Sequence, residues 1–226
     1  MSPRIIFDIE TIGVEFNSLD KKSKEFLLLN ADSEEEKEQI KEELGFSPLT
    51  GQVVAVGILN PDTDKGAVYY QIPDGKSADE QDENITYIPS PNERDLLKGF
   101  WDAAAHYNQF ITFAGHSFDC PYLMVRSAVN GVKPTQQLFQ NRYNGTLHLD
   151  LLDRLTNFGA MRGKRNLHMW CQAFGIGSPK SKGVTGDDVA RLFKEKKYLD
   201  IAKYCYDDVK ATKELFQYWE KYVNIR

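Results

Sequence analysis

The chain has 226 residues, of which 41% are hydrophobic, and it carries a formal net charge of −5. That length and hydrophobic content can bury one substantial core, so we expect a single domain over residues 1–226. The negative charge argues against a protein that coats nucleic acid through many phosphate contacts. There is no run of about 18 apolar residues and no N-terminal signal segment, which predicts a soluble cytoplasmic protein with no membrane partner.

The first predicted strand, Arg4–Glu10, carries two carboxylates on one face. Side chains two residues apart in a strand project from the same side, about 6.6 Å apart, so Asp8 and Glu10 can reach one metal ion. The opposite face is the apolar packing face, formed by Ile5, Phe7 and Ile9. The competing interpretation of an isolated Asp-x-Glu is a surface strand with alternating polar residues.

Residues 14–46 are typical of a helical insertion with an acidic, solvated face. Ser33 and Glu36 have the spacing of a capping box, and Gly45 is placed to end the helix. The pattern assigns no function to this segment.

Beyond this segment, strands and helices alternate, with a polar loop predicted at residues 74–84. The pattern predicts an α/β fold in which a mixed five-stranded sheet has helices on both faces. After the first strand, the predicted elements are strands at Gln52–Leu59 and Ala67–Ile72, a helix near Asn92–Tyr107, a strand ending near Phe113, a helix after Asp119 and a short strand around Leu147–Asp150.

Asp119 follows the buried strand Gln109–Phe113 and precedes a helical pattern. The junction between a strand and a helix is where α/β sheets expose functional groups. An aspartate in that position can also serve simply as the N-cap of the helix, and the two roles do not exclude each other.

The segment Tyr198–Tyr222 predicts an amphipathic helix. Asp208 falls on its apolar face, whereas Asp207 is turned toward the exposed side. Asp207 is the rival candidate if the helix is rotated. A carboxylate at a core-facing position needs a hydrogen-bonded partner or a metal. Tyr204 lies one turn before Asp208 on the same face, so the alternative is that the two satisfy each other inside the core. The apolar face consists of Ile201, Cys205, Leu215, Phe216 and Trp219.

Three short motifs resemble those of the DEDD superfamily of 3′-to-5′ exonucleases, in the same order. Phe7-Asp8-Ile9-Glu10-Thr11 is similar to the first motif, Phe118-Asp119 to the second and Tyr204-x-x-x-Asp208 to the third in its tyrosine branch. The segments Gln52–Gly57, His148–Leu151 and Tyr204-Cys205 resemble the stand-alone exonucleases related to the proofreading domain of family B polymerases. That subgroup usually has an asparagine in the second motif, where this chain reads Phe113-Ala114-Gly115-His116.

The resemblance implies a ribonuclease H-like fold and release of 5′ mononucleotides from the 3′ end of single-stranded DNA or RNA. The hypothesis is hydrolysis by two divalent cations, Mg²⁺ or Mn²⁺, about 4 Å apart. Asp8 would bridge both ions, Glu10 and Asp208 would complete the site of the water-activating ion, and Asp119 would hold the second ion. Tyr204 would orient the water. The sequence identifies no protein partner.

Candidate substrate contacts are less specific than the acidic set. The basic residues among them belong to polar stretches that ordinary solvated loops explain equally well. His148 and Asp150 share a strand face, and a structural hydrogen bond is the favoured interpretation over a second metal pair. The predicted substrate-binding residues are Thr11, His116, Phe118, Lys180 and Lys182.

Two other classes of function remain open. A catalytically retired exonuclease could bind nucleic-acid ends or a partner, and the departure in the second motif leaves that possibility. A ribonuclease H-like endonuclease could use the same sheet, although the Tyr204-x-x-x-Asp208 helix counts against it.

Overall fold

The computed structural model of the chain describes residues 3–73, 75, 79–161, 166–177 and 186–225. Within these ranges the helices are all too short or too polar to span a bilayer. The strands are β1 (Arg4–Gly13), β2 (Gly51–Leu59), β3 (Gly66–Gln71), β4 (Glu80–Asp82), β5 (Ile85–Ser90), β6 (Gln109–Thr112) and β7 (His148–Asp150). The helices are α1 (Lys21–Leu27), α2 (Glu34–Glu42), α3 (Glu93–Ala104), α4 (Asp119–Val129), α5 (Leu151–Leu155), α6 (Leu167–Phe174), α7 (Val189–Lys194) and α8 (Tyr198–Tyr222).

All strands join one mixed sheet in the order β4-β5-β3-β2-β1-β6-β7. β1 lies near its centre, antiparallel to β2 and parallel to β6. The α3 and α4 helices contribute to the core on one face of the sheet, and α6, α7 and α8 contribute to the core on the other. The predicted α/β architecture, a mixed sheet with helices on both faces, is therefore confirmed.

The predicted count of five strands is wrong, because β4 and β5 extend the sheet beyond β3. The three residues of β4 are all exposed, so they show no hydrophobic alternation and fall in the stretch predicted to be a loop. In β5, Pro89 weakens the strand pattern. Pro89 pairs with Tyr70 of β3, beyond the three residues of β5 that pair with β4.

The two faces of β1 divide its residues between the two cores. Ile5, Phe7 and Ile9 pack into the core that contains α3 and α4, as predicted. Ile6 packs into the core that contains α8. Since alternate residues of a strand share a face, Asp8 and Glu10 project toward the α8 side.

The helical segment between β1 and β2 contains the predicted capping box. The Glu36 N–H donates to Ser33 Oγ at 3.1 Å, and the Ser33 N–H donates to Glu36 Oε2 at 3.2 Å. Gly45 does not end a helix as predicted, because it lies within the 3₁₀ turn Glu43–Phe46. Its backbone packs against β1 so closely that an added Cβ would lie 2.9 Å from the Gly13 nitrogen.

We expect Gly45→Ala to destabilise the protein by about 1–3 kcal/mol, because the new methyl group would meet rigid backbone. Urea denaturation measures the loss. Gly177→Ala is the matched control, since no described residue lies within 4 Å of the position of its added Cβ. Equal midpoints for both variants and the wild type would contradict the close approach of the turn to β1.

Candidate active site

The five residues predicted to be catalytic line a single cavity of about 320 Å³. They come from three elements that are distant in sequence, namely β1, the start of α4 and α8. Thr11 and Phe118, two of the predicted substrate contacts, line the same cavity. The residues brought together as predicted are Asp8, Glu10, Asp119, Tyr204 and Asp208.

The β1 side of the cavity depends on a close contact with α8. Asp8 pairs with Gly57 across the β1–β2 ladder. An added Cβ at Gly57 would lie 2.9 Å from Val209 Cγ2 and 3.1 Å from Cys205 Sγ, both on α8. The Cys205 thiol lies 3.6 Å from the Asp8 carbonyl oxygen, to which it can donate. The absence of a side chain at Gly57 thus lets α8 lie directly beside Asp8.

Asp119 joins α4 to β1 and does not cap its own helix. The N-cap of α4 is Phe118, which makes no side-chain capping bond. Asp119 Oδ1 instead accepts a hydrogen bond from the Ile9 N–H at 3.2 Å. The third carboxylate is therefore fixed to the strand between Asp8 and Glu10.

The phase of α8 places Asp208, and not Asp207, in the cavity lining. Asp207 lies on another side of the helix, near Tyr206. Burial raises the pKa of Tyr206, and the charges of nearby carboxylates, Asp207 among them, raise it further. Tyr204 is buried, and its hydroxyl donates a hydrogen bond to Asp208. Burial and the charges of Asp208, Glu10 and Asp8 raise the pKa of Tyr204 above its ordinary value, so its hydroxyl stays protonated at neutral pH.

Four buried or partly buried carboxyl groups lie close together in the cavity. Desolvation, followed by the charges of the neighbouring carboxylates, raises the pKa of Asp8 and Glu10 well above the ordinary range. Burial raises the pKa of Asp119 to about 7. Among the described residues that line the cavity there is no lysine, arginine or histidine. A set of hard oxygen donors without a side-chain cation fits Mg²⁺ or Mn²⁺.

A buried aspartate holds the turn that leads from β6 to α4. Asp150 accepts hydrogen bonds from the backbone N–H groups of Ala114 at 3.0 Å and His116 at 2.9 Å. Ala114, in this turn, has a φ of +65° and lines the cavity. Non-glycine residues other than asparagine and aspartate rarely adopt this conformation.

His116 does not line the catalytic cavity, so the structure offers no contact from it to a substrate bound there. Its Nδ1 lies 2.8 Å from Asp153 Oδ2, and this interaction draws the imidazole away from the cavity. His148 and Asp150 each make hydrogen-bond contacts with other residues. His148 Nε2 lies 2.8 Å from Thr112 Oγ1, and Asp150 binds backbone N–H groups.

Two aromatic residues that line the cavity, Phe46 and Phe113, were not among the predicted site residues. Phe46 is 61% exposed and lines the cavity from the end of the helical segment. No periodicity marks it in the sequence. Thr11 is held in place because its hydroxyl donates to the Gly45 carbonyl at 2.8 Å. The predicted contacts Lys180 and Lys182 lie outside the described residues.

The structure of the chain is similar to part of a solved DNA polymerase structure. The solved structure of the family B DNA polymerase from the hyperthermophilic archaeon Pyrobaculum calidifontis matches with a TM-score of 0.62 and 18% sequence identity. The match covers 97% of this chain and 25% of the polymerase chain, so this chain spans about a quarter of that protein's length. The likeness concerns the fold. No curated protein matches the sequence.

A family match covers most of the chain. Residues 51–222 match the family described as predicted 3′-5′ exonucleases related to the exonuclease domain of PolB. β1, which carries Asp8 and Glu10, precedes the matched residues. The assignment of this carboxylate pair to the site is therefore based on the geometry of the cavity. The chain belongs to this family of predicted 3′-5′ exonucleases related to the exonuclease domain of PolB.

Proposed function

We propose that the protein is a metal-dependent 3′-to-5′ exonuclease of the tyrosine branch of the DEDD superfamily. Its substrate is the 3′ end of single-stranded DNA or RNA, and its products are 5′ mononucleotides. The observation that carries the proposal is the convergence of four carboxylates and one tyrosine from β1, α4 and α8 in one cavity. Membership of the exonuclease family supports the same reaction class.

The acidic residues would hold two divalent cations, Mg²⁺ or Mn²⁺. The fit rests on the donor set. Burial first, and then the charges of neighbouring carboxylates, raise the pKa of Asp8, Glu10 and Asp119, and the described residues that line the cavity include no cationic side chain. Bound cations would supply Lewis acidity and an activated water at neutral pH. Without them, the carboxylates among the described lining residues would repel a phosphodiester.

The remaining residues of the cavity orient the reactants. Tyr204 stays protonated, so it can orient a water molecule through its hydroxyl but cannot act as a general base. Its hydrogen bond to Asp208 fixes the ring beside the carboxylates. Phe46 and the half-buried Phe118 place aromatic surface at the cavity, where the terminal bases can stack.

The test is incubation of 5′-labelled single-stranded DNA and RNA with Mn²⁺ and either the wild type or Asp8→Ala. We expect a ladder that shortens from the 3′ end with the wild type and no cleavage by the folded variant. Internal cuts would support the endonuclease alternative. Retention of the strand without cleavage would support the catalytically retired binder. Cleavage at the wild-type rate by a folded Asp8→Ala variant would contradict the proposed cation site.

The two adjacent aspartates of α8 provide a matched pair of variants. Asp208→Asn removes a negative ligand from the cavity and should lower the cleavage rate strongly, about 10²-fold or more by analogy with other groups that act in the transition state. Asp207→Asn should keep the wild-type rate, because Asp207 does not line the cavity. The measurement is the initial rate of cleavage of one labelled strand by each variant and by the wild type. A larger loss at Asp207 would show that the helix phase is misassigned.

Tyr204→Phe removes one oxygen and no charge. Since an orienting hydrogen bond contributes at the lower end of the range for positioned groups, we expect a loss of about 10²-fold in rate. Mn²⁺ affinity, titrated on the same sample, should change little. An unchanged rate would leave Tyr204 with a packing role alone, and a large loss of Mn²⁺ binding would make it part of the metal site.

The raised pKa of Asp119 predicts how stability changes with pH in the absence of metal. Because the folded chain holds this proton up to about pH 7, and the unfolded chain releases it near an ordinary aspartate pKa of about 3.9, stability should fall as pH rises between these values. Asp119→Asn removes the ionisable group and with it this loss of stability. The amide oxygen of the asparagine can still accept the hydrogen bond from the Ile9 N–H.

The melting temperature of Asp119→Asn relative to the wild type should therefore rise between pH 5 and pH 8. We expect at least about 2 °C, the shift that about 1 kcal/mol produces in a chain of this size. With added Mn²⁺ at pH 8, the wild type should have the higher melting temperature of the two, because it binds the cation more tightly than Asp119→Asn does. A difference that stays constant with pH would contradict the raised pKa.

A further inference from the structure

A second depression, of about 290 Å³, lies beside the catalytic cavity. Its lining includes His116 and Ser117, whereas Ala114, in the same turn, lines the catalytic cavity. The turn from β6 to α4 is thus a shared wall between the two. The other residues that line the second depression are Gln140 and Arg142.

Arg142 is a cation held in a fixed position at this depression. Its Nε donates to Asp153 Oδ2 at 3.2 Å and its Nη2 to Asp153 Oδ1, while the same Asp153 contacts His116. The side chain of Arg142 nevertheless remains 51% exposed. A guanidinium has five N–H donors, so Asp153 leaves the Nη1 side able to bind a phosphate oxygen.

Exposed aromatic surface continues from Arg142. Tyr143 is 67% exposed, and its ring centroid lies 4.8 Å from that of Phe158. The Arg154 guanidinium lies 5.1 Å from the Phe158 ring centroid, and its Nη2 is 3.5 Å from the Tyr143 carbonyl oxygen. We call Arg142, Tyr143, Arg154 and Phe158 the Arg142 surface. Its two guanidinium groups and one exposed ring are the elements that proteins use to bind single strands.

The groove on another side of the catalytic cavity has an acidic wall. It has a volume of about 580 Å³ and shares Thr11, Phe46 and Gly186 with the cavity. Its remaining wall includes Glu42 and Glu43, which would repel a phosphate backbone. The charges therefore favour the Arg142 surface as the path of a nucleic-acid strand.

The geometry points to the Arg142 surface as the binding site for the part of a single strand that lies 5′ to the scissile bond. Arg142 and Arg154 contact the backbone phosphates, and a base stacks on Tyr143. The substrate is then a strand of several nucleotides and not merely a terminal dinucleotide. This inference rests on the proposed exonuclease function, since it takes the cavity as the place where the 3′ end is cut.

The test compares kcat/KM for a 5′-labelled trinucleotide and a labelled dodecanucleotide with Mn²⁺. The wild type should prefer the longer strand, and Tyr143→Ala should reduce this preference at least about 5-fold, the lower limit for loss of one stacked base. Arg142→Gln should reduce the preference and also weaken its dependence on salt. Tyr143→Ala leaves the Arg142–Asp153 ion pair intact. It therefore tests the Arg142 surface even if the Arg142→Gln variant fails to fold.

Tyr222→Ala is the matched control. Tyr222 is also an exposed tyrosine beside a cation, since Lys221 Nζ lies 4.9 Å from its ring centroid. It is 14 residues after Asp208 in α8, about 21 Å along the helix. The control should keep the wild-type preference for the longer strand. A wild-type preference in both Tyr143→Ala and a folded Arg142→Gln would overturn the inference and leave the exonuclease function untouched.

Binding is measured separately from cleavage by fluorescence anisotropy of the dodecanucleotide, with Ca²⁺ in place of Mn²⁺. Ca²⁺ provides a hard cation for the carboxylates. A loss of affinity of at least about 5-fold in Tyr143→Ala supports the surface, even if the wild type cuts no strand and the proposed function fails. Absence of binding by the wild type, or equal affinity of Tyr143→Ala, would overturn the inference.

Discussion

The approach of α8 to the centre of the sheet is the contact on which the candidate site depends. Gly57 has no side chain to hold the helix away, so Cys205 and Val209 pack directly against β2 and the Asp8 backbone. Burial of the apolar face of α8 must offset the repulsion that this approach creates between the carboxylates of β1 and Asp208. Packing and charge oppose each other here, and the apolar contacts determine where the charges lie.

A divalent cation that binds the acidic cavity, as proposed, would have to displace protons. A carboxyl group whose pKa is about 7, as for Asp119, binds a proton at a pH where an ordinary aspartate is ionised. Binding of a divalent cation must release such protons, so the apparent metal affinity of the site should increase with pH near neutrality. The hydrogen bond from Ile9 to Asp119 holds the carboxylate in place in either state. A backbone contact thus fixes the position of this carboxylate before any cation binds.

Local periodicity was sufficient to predict the parts of the site that lie on regular elements. The alternation of β1 placed Asp8 and Glu10 on one face, and the apolar face of α8 distinguished Asp208 from Asp207. Features that arise from contacts between distant segments had no local signal. Asp153 draws His116 away from the cavity across 37 residues, and Gly45 meets Gly13 across a helical segment. The strand β4 was missed because its side chains are all exposed and carry no alternation.

The order in which the chain is made has a consequence for when the proposed nuclease can act. β1 pairs with β2 and β6, so the first three carboxylates can assemble from the segment that ends with α4. Tyr204 and Asp208 come from α8, nearly 200 residues after Asp8. Since the N-terminal part of a domain emerges from the ribosome first, the first three carboxylates are made well before Tyr204 and Asp208. The messenger and ribosomal RNA beside the nascent chain would therefore meet an incomplete candidate site until α8 docks.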